Sequence, residues 1–159
     1  MKMTTKIAAL LFVAVALFSS CEEEITTSKL VVDESQTATI KLYVKAEMNN
    51  IIGLDNIPNN TVFNISVPLN ELNGYFYGDG RWTTSVQSNN GVIEFDVPAN
   101  ADGVTVYVDM VGFESDYTDG GVVTEKRFYE YNGVFYGIIT GSNNVDVIYP
   151  NYNVLNILN

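Results

Sequence analysis

Few residues in this chain are equipped for chemistry. None of its 159 residues is histidine and a single one, Cys21, is cysteine. That composition excludes Ser/His/Asp triads, Cys/His dyads, imidazole zinc sites and intramolecular disulfides. Carboxylates, Tyr, Ser, Thr and Lys remain, and they fall into three groupings. Tyr75, Phe76, Tyr77 and Trp82 crowd a Gly/Asn/Asp-rich stretch with Asp79 and Arg81. Aromatic faces beside carboxylates and amides suit a sugar ring, which stacks its C–H face and hydrogen-bonds through its hydroxyls. The competing reading sends Trp82 and at least one of the other rings into the core. Glu114, Asp116 and Asp119 offer oxygen ligands to calcium, a hard cation that takes several at once. Their spacing matches no EF-hand, and a solvated acidic loop is the plainer account. Glu94 and Asp96, two apart on an outward strand face, could converge like paired catalytic carboxylates. Adjacent exposed acids are common, and the short catalytic inventory argues against an enzyme.

The cysteine sits in a context of its own. Residues 1–21 read MKMTTKIAALLFVAVALFSSC, with Lys2 and Lys6 ahead of an apolar run from Ile7 to Phe18 and two serines before the thiol. The layout is that of a secretory signal, too short for a stable membrane span. Leu17 to Cys21 resembles a bacterial lipobox, although Phe18 stands three places before the cysteine where that box usually has Leu. Envelope lipoproteins of Bacteroidota are similar to this looser form. The resemblance implies a diacylglyceryl group on the Cys21 sulfur and cleavage just before it, so that acyl chains, at about 0.8 kcal/mol per buried methylene, hold the chain to a membrane. Glu22, Glu23 and Glu24 follow at once, resembling the acidic export signal to the outer face of the outer membrane in the same bacteria. A solvated spacer is the alternative.

Charge narrows the partners further. The chain carries 8 basic and 19 acidic residues, a net charge of -11, and loss of Lys2 and Lys6 with the signal makes it more acidic. Such a surface repels phosphate backbones, so nucleic acid is not an expected partner. With Cys21 committed to lipid, stability has to come from packing alone.

The elements that would position these residues are strands. Residues 1–20 are read as the signal peptide, 21–37 as the lipidated cysteine with an acidic flexible spacer that holds at most a short strand at Leu30 to Val32, and 38–159 as one domain. From Ala38, Ile40, Leu42, Val44, Ala46 and Met48 alternate with polar neighbours. Residues 49–60 read as a loop with Ile51, Ile52, Leu54 and Ile57 folded beneath it. Phe63, Ile65, Val67 and Leu69 form a second inward row, with Pro68 ending that strand or placing it at an edge. Trp82, Thr84 and Val86 form a third row, ended by a turn at Ser88 to Gly91. Val92–Val97 and Val104–Met110 read as an antiparallel pair. Residues 114–121, ESDYTDGG, read as an acidic loop, and Asn132-Gly133 as a two-residue hairpin turn between Val122–Tyr131 and Val134–Ile139. Val145, Val147 and Tyr149 share a face of the last clear strand, and the tail from Pro150 is expected to pair at an edge. Nothing beyond the signal reads as a helix. About seven to eight strands of this kind imply an all-β antiparallel sandwich, immunoglobulin-like in architecture.

Residues 82–113 resemble the core of the transthyretin-like, carboxypeptidase-regulatory-like domains: a threonine-rich strand, a turn ending in Gly91, an I-x-F-x-V-P strand, and a strand ending in Gly112-Phe113. Ile57 to Val62 is similar to the proline turn before that family's second strand. The resemblance implies a non-catalytic sandwich without cofactors. The expectation is therefore an outer-membrane, surface-exposed lipoprotein acting as a binding or adhesion module for a glycan or an envelope protein, attached to the membrane through Cys21. The alternative is an assembly subunit of a pilus-like or transporter-associated complex, docking through a strand edge, and a carboxylate-based glycosidase is a third reading.

Overall fold

Strict alternation makes β1 (Thr37–Ala46) a strand with one dry face: Ala38, Ile40, Leu42, Val44 and Ala46 are all buried. The computed structural model describes residues 32–50, 53–73 and 78–158, within a compact unit spanning Val32–Asn159. Cys21, Glu22, Glu23, Glu24, Leu30, Ile51, Ile52, Tyr75, Phe76 and Tyr77 lie outside the described residues. After β1 come β2 (Asp55–Asn56), β3 (Val62–Pro68), a short helix α1 (Leu69–Asn73), β4 (Arg81–Gln87), β5 (Val92–Pro98), β6 (Val104–Asp119), β7 (Val122–Ile138), β8 (Asn143–Ile148) and β9 (Asn151–Ile157). Two sheets result: β1 pairs with β2, β5 and β8, and the other sheet runs in the order β4-β3-β6-β7-β9. The inward rows of β1 and β5 meet those of β3 and β6 in one core that includes Phe63, Ile65, Ile93, Phe95, Val106 and Val108. This is the expected sandwich, with nine strands among the described residues. All pairs are antiparallel except β1 with β8, which is parallel.

Several local expectations are corrected. β5 and β6 do not pair: β5 joins β1 and β6 joins β3, so residues 98–103 cross from one sheet to the other and the two inward rows face each other across the core. Residues 114–119 are strand, not loop, and the hairpin turns only at Gly120-Gly121, whose φ angles of 58° and 85° suit a two-residue primed turn. Asn132-Gly133 turns nothing, because β7 runs straight through it with Asn132 opposite Asp109 and Gly133 opposite Val108. The dipeptide that does turn is Asn90-Gly91, with φ angles of 51° and 72°. Gly133 serves packing: a Cβ there would overlap the Tyr131 ring, and one at Gly112 would overlap Phe128. Both of these glycines lie under an aromatic side chain, the arrangement that covers a bare stretch of sheet.

The remaining differences are local. Leu69 opens α1 instead of extending β3, and α1 is tied down by Asn100 Nδ2 donating to the Glu71 carbonyl and the Thr105 N–H donating to the Glu71 carboxylate. Ile57 is buried as expected, whereas Leu54 is exposed. Val145, Val147 and Tyr149 face solvent, because the parallel register with β1 sets Asn144, Asp146 and Ile148 beside its inward row. Among the described residues no helix is long and apolar enough to cross a membrane.

Replacing Gly112 by Ala forces a methyl into the Phe128 ring and should cost about 1–3 kcal/mol, the usual range for overpacking. Urea unfolding of the variant checks this; an unchanged midpoint would contradict the close approach.

Candidate functional site

The outward face of β3, β4 and β6 is the most clearly built polar surface among the described residues. Strand register brings its side chains together: Ser85 lies opposite Asn64 and Thr83 opposite Ser66 on β4 and β3, while Asn64 lies opposite Asp109 and Ser66 opposite Tyr107 on β3 and β6. Alternation points Arg81 to this face and Trp82 away from it. Arg81 Nη1 donates to Ser66 Oγ at 3.0 Å, and its guanidinium carbon lies 4.1 Å from the centre of the Tyr107 ring. Ser85 Oγ donates to Asn64 Oδ1 at 2.8 Å. A shallow concavity of about 470 Å³ opens among Asn64, Ser66, Arg81, Thr83, Ser85 and Asp109. A smaller one of about 240 Å³ adjoins it between Pro68, Asn70 and Gly78 to Arg81, so Arg81 borders both.

Among the described residues no carboxylate pairs with Arg81. Its planar fork keeps donors free for a ligand, the hydroxyls of Ser66 and Thr83 can donate or accept, and the Asp109 carboxylate accepts. Donors and acceptors alternate at this spacing on a face open to water. The arrangement can hydrogen-bond a molecule rich in hydroxyls.

The expected site residues divide. Asp79 and Arg81 border the same concavity. Trp82 does not join them: its ring packs against the core on the inner face, and its Nε1 donates to Glu34 Oε1 at 3.3 Å. Tyr107 is the aromatic that stands by Arg81, and the sequence reading passed over it. Its outward parity between Val106 and Val108 was visible; its position opposite Ser66 depends on register, which one strand cannot reveal.

The carboxylate groupings are occupied by neighbours. Lys41 Nζ is 2.7 Å from Glu94 Oε2, and that hydrogen bond holds the ammonium above its ordinary range. Thr39 Oγ1 donates to Asp96 Oδ1 at 2.6 Å. Both acids are thus engaged by β1 side chains on an exposed face. Glu114 pairs with Lys126 at 2.8 Å, and Asp119 Oδ1 accepts from Asn50 Nδ2 at 2.9 Å. Extended backbone spaces these acids along β6 instead of wrapping them round an ion, and among the described residues no group of three His, Cys, Asp or Glu is placed to hold a metal.

One buried charged cluster had no signal in the sequence. Arg127 is only 5% exposed, its guanidinium carbon 3.5 Å from the centre of the Tyr117 ring and 3.9 Å from that of Tyr152. Its Nε donates to Glu125 Oε2 at 2.7 Å and its Nη1 to the Glu47 carbonyl at 3.2 Å. Tyr129, stacked on Phe113 with ring centres 5.0 Å apart, donates its hydroxyl to the same carbonyl at 2.6 Å. Burial pushes the Arg127 value down, but the bonds to Glu125 and Tyr129 outweigh it and the net direction is up. Among the described residues no buried side-chain nitrogen or oxygen lacks a hydrogen-bond partner, and this cluster ties β7 to the residue that follows β1.

No family model, no curated protein and no solved structure matches this chain.

Burial raises the Tyr129 phenol above its ordinary value, with Arg127 opposing the shift, and burial raises Tyr131 as well. An unfolded tyrosine titrates near pH ~10. The stability these phenols contribute is therefore complete below that pH and is lost as pH climbs through their folded values. Urea unfolding between neutral pH and pH ~11 should show a falling alkaline limb. Tyr129→Phe should flatten that limb and lower neutral stability by about 1–2 kcal/mol; an unaltered limb would contradict the buried phenol.

Proposed function

We propose that this chain is a non-catalytic binding or adhesion module, held by lipid on Cys21 at the outer membrane with its domain facing outward, and that its ligand is a neutral glycan bound on the outer face of β3, β4 and β6. The single observation that carries the ligand class is the grouping of Arg81, which has no carboxylate partner among the described residues, with Ser66, Thr83, Asn64, Ser85 and Asp109 around one shallow concavity. Sugar hydroxyls need alternating donors and acceptors at hydrogen-bond spacing, and an open sheet face admits a chain of them. A net charge of -11 disfavours polyanions and leaves neutral sugars as the better match. The signal layout, the lone cysteine and the run Glu22 to Glu24 support the address. The absence of histidine and of a free catalytic thiol supports binding without turnover.

A second reading, an assembly subunit docking through a strand edge, is favoured by a different observation: β9 is exposed along its whole length and carries no charged residue.

A glycan array probed with the purified protein should show retention on a defined set of neutral oligosaccharides. Arg81→Ala and Asp109→Ala should each weaken that retention by about tenfold or more, the equivalent of roughly 1.4 kcal/mol. Failure to retain any glycan, or equal retention by both variants, would refute the ligand class.

A further inference from the structure

We infer that the glycan is a neutral, β-1,4-linked chain lying across β4, β3, β6 and β7, and that Asn132 with its neighbour Asp109 forms a further subsite on β7, beyond the concavity. This rests on the reading of that face as a glycan site and adds the linkage, direction and length of the chain it holds.

Register lines up the outward residues of these strands. Ser85, Asn64, Asp109 and Asn132 lie side by side on β4, β3, β6 and β7, and Thr83, Ser66, Tyr107 and Val134 make the next row. At about 4.8 Å between strands the first row runs roughly 14 Å, and each of its side chains can hydrogen-bond. One strand spacing is close to the advance per unit of an extended, equatorially linked pyranose chain, so each strand can serve one sugar. An axially linked chain coils and soon leaves such a row. The borders favour the crossing direction. Arg81 lies over the Tyr107 ring on one side, and Val111, 50% exposed on β6, stands on the other. Along β6 the polar side chain of Asp109 is therefore flanked by Tyr107 and Val111, whereas across the strands the polar row is uninterrupted.

The β6–β7 end of the row is left open. On the outer face of the other sheet, neighbouring strands satisfy one another: Lys41 donates to Glu94, Thr39 to Asp96 and Lys45 to Asn56. Ser85 and Asn64 do the same at the β4 end of the polar row. Asp109 and Asn132 do not. They are cross-strand partners, both exposed, a carboxylate that accepts and an amide that donates, yet neither side chain makes a hydrogen bond among the described residues. One sugar hydroxyl can donate to Asp109 and accept from Asn132 at once. The concavity ends at Asp109, and Asn132 carries the row one strand further. This gives a role to a dipeptide that has the composition of a turn and makes none: Gly133 clears space for the Tyr131 ring on the inner face, and Asn132 faces outward beside Asp109.

The probes are β-1,4-linked gluco-, manno- and xylo-oligosaccharides of two to six units, titrated calorimetrically into the full chain in detergent. Affinity should rise with length up to four units and level off by six, the tetraose binding about fivefold or more tighter than the triose. Asn132→Ala should bind the tetraose only as tightly as the unaltered protein binds the triose, and so should Asn132→Val, which suits a strand and cannot hydrogen-bond. Arg81→Ala should weaken binding at every length. Tetraose affinity unchanged in both Asn132 variants, or no gain beyond two units, would overturn the subsite and leave the glycan face standing. Retention of axially linked or branched glycans on an array, with none of these chains bound, would overturn the linkage and likewise leave that face standing. Failure to retain any glycan would remove the reading on which the inference rests.

Discussion

The inward row of β1, packed against the rows of β3 and β6, is the contact on which the rest of the molecule depends. Ile40, Leu42 and Val44 of β1 and Phe63, Val67, Val106 and Val108 opposite them are wholly shielded from water. A chain with one cysteine has no internal disulfide to fall back on. Each of these aliphatic side chains contributes about 1.5–3 kcal/mol on leaving water, and the sum of such terms has to exceed the entropy of ordering the chain. Because β1 is paired on both sides, by β5 and by β8, it locks its own sheet while its side chains lock the other.

Unequal strand lengths explain the remaining architecture. β6 and β7 have 16 and 17 residues against 10 in β1, so their hairpin reaches beyond the last residue of β1. A long hairpin with an apolar inner face needs something to hold it, and the Arg127 cluster does this. Arg127 and Tyr129 both donate to the carbonyl of Glu47, the residue just after β1, while Tyr117 and Tyr152 sandwich the guanidinium. Removing one partner of such a buried group would strand the other, so the cluster holds only as a whole. The polar sheet face around Arg81 and the uncharged strand β9 lie on the outside of this interior.

How much of this could be read in advance follows from what period-two alternation does and does not contain. It identified the inward rows of β1, β3, β5 and β6, since burying one face demands alternation whatever lies opposite. It could not say which strands share a sheet, because β5 and β6 both have an inward row and look alike whether adjacent or facing across the core. Turn chemistry misled where a glycine served packing: Asn132-Gly133 has the composition of a turn, but Gly133 makes room for the Tyr131 ring. Acidity misled at 114–119, where Glu114 and Asp116 alternate with Ser115 and Tyr117 along a paired strand and Lys126 answers from β7. Val145 and Val147 do share a face, and pairing with β1 turns that face to solvent. For the candidate site, Asp79 and Arg81 were legible as a polar, glycine-flanked pair. Of the two readings of Trp82, site or core, the core one holds, because Trp82 adjoins Arg81 in the strand and so points the other way, and Tyr107 needed the register of β3 with β6.

Amide hydrogen exchange resolved by residue tests the central claim, that one core centred on β1 carries the fold and the long hairpin is an appendage to it. The slowest amides should be those of Ile40 to Val44, with their partners in β5 and β8, exchanging only through global unfolding, while Thr118 to Val123 at the hairpin tip exchange by local opening many times faster. Equal protection of the tip and of β1, or faster exchange in β1 than in the tip, would contradict it.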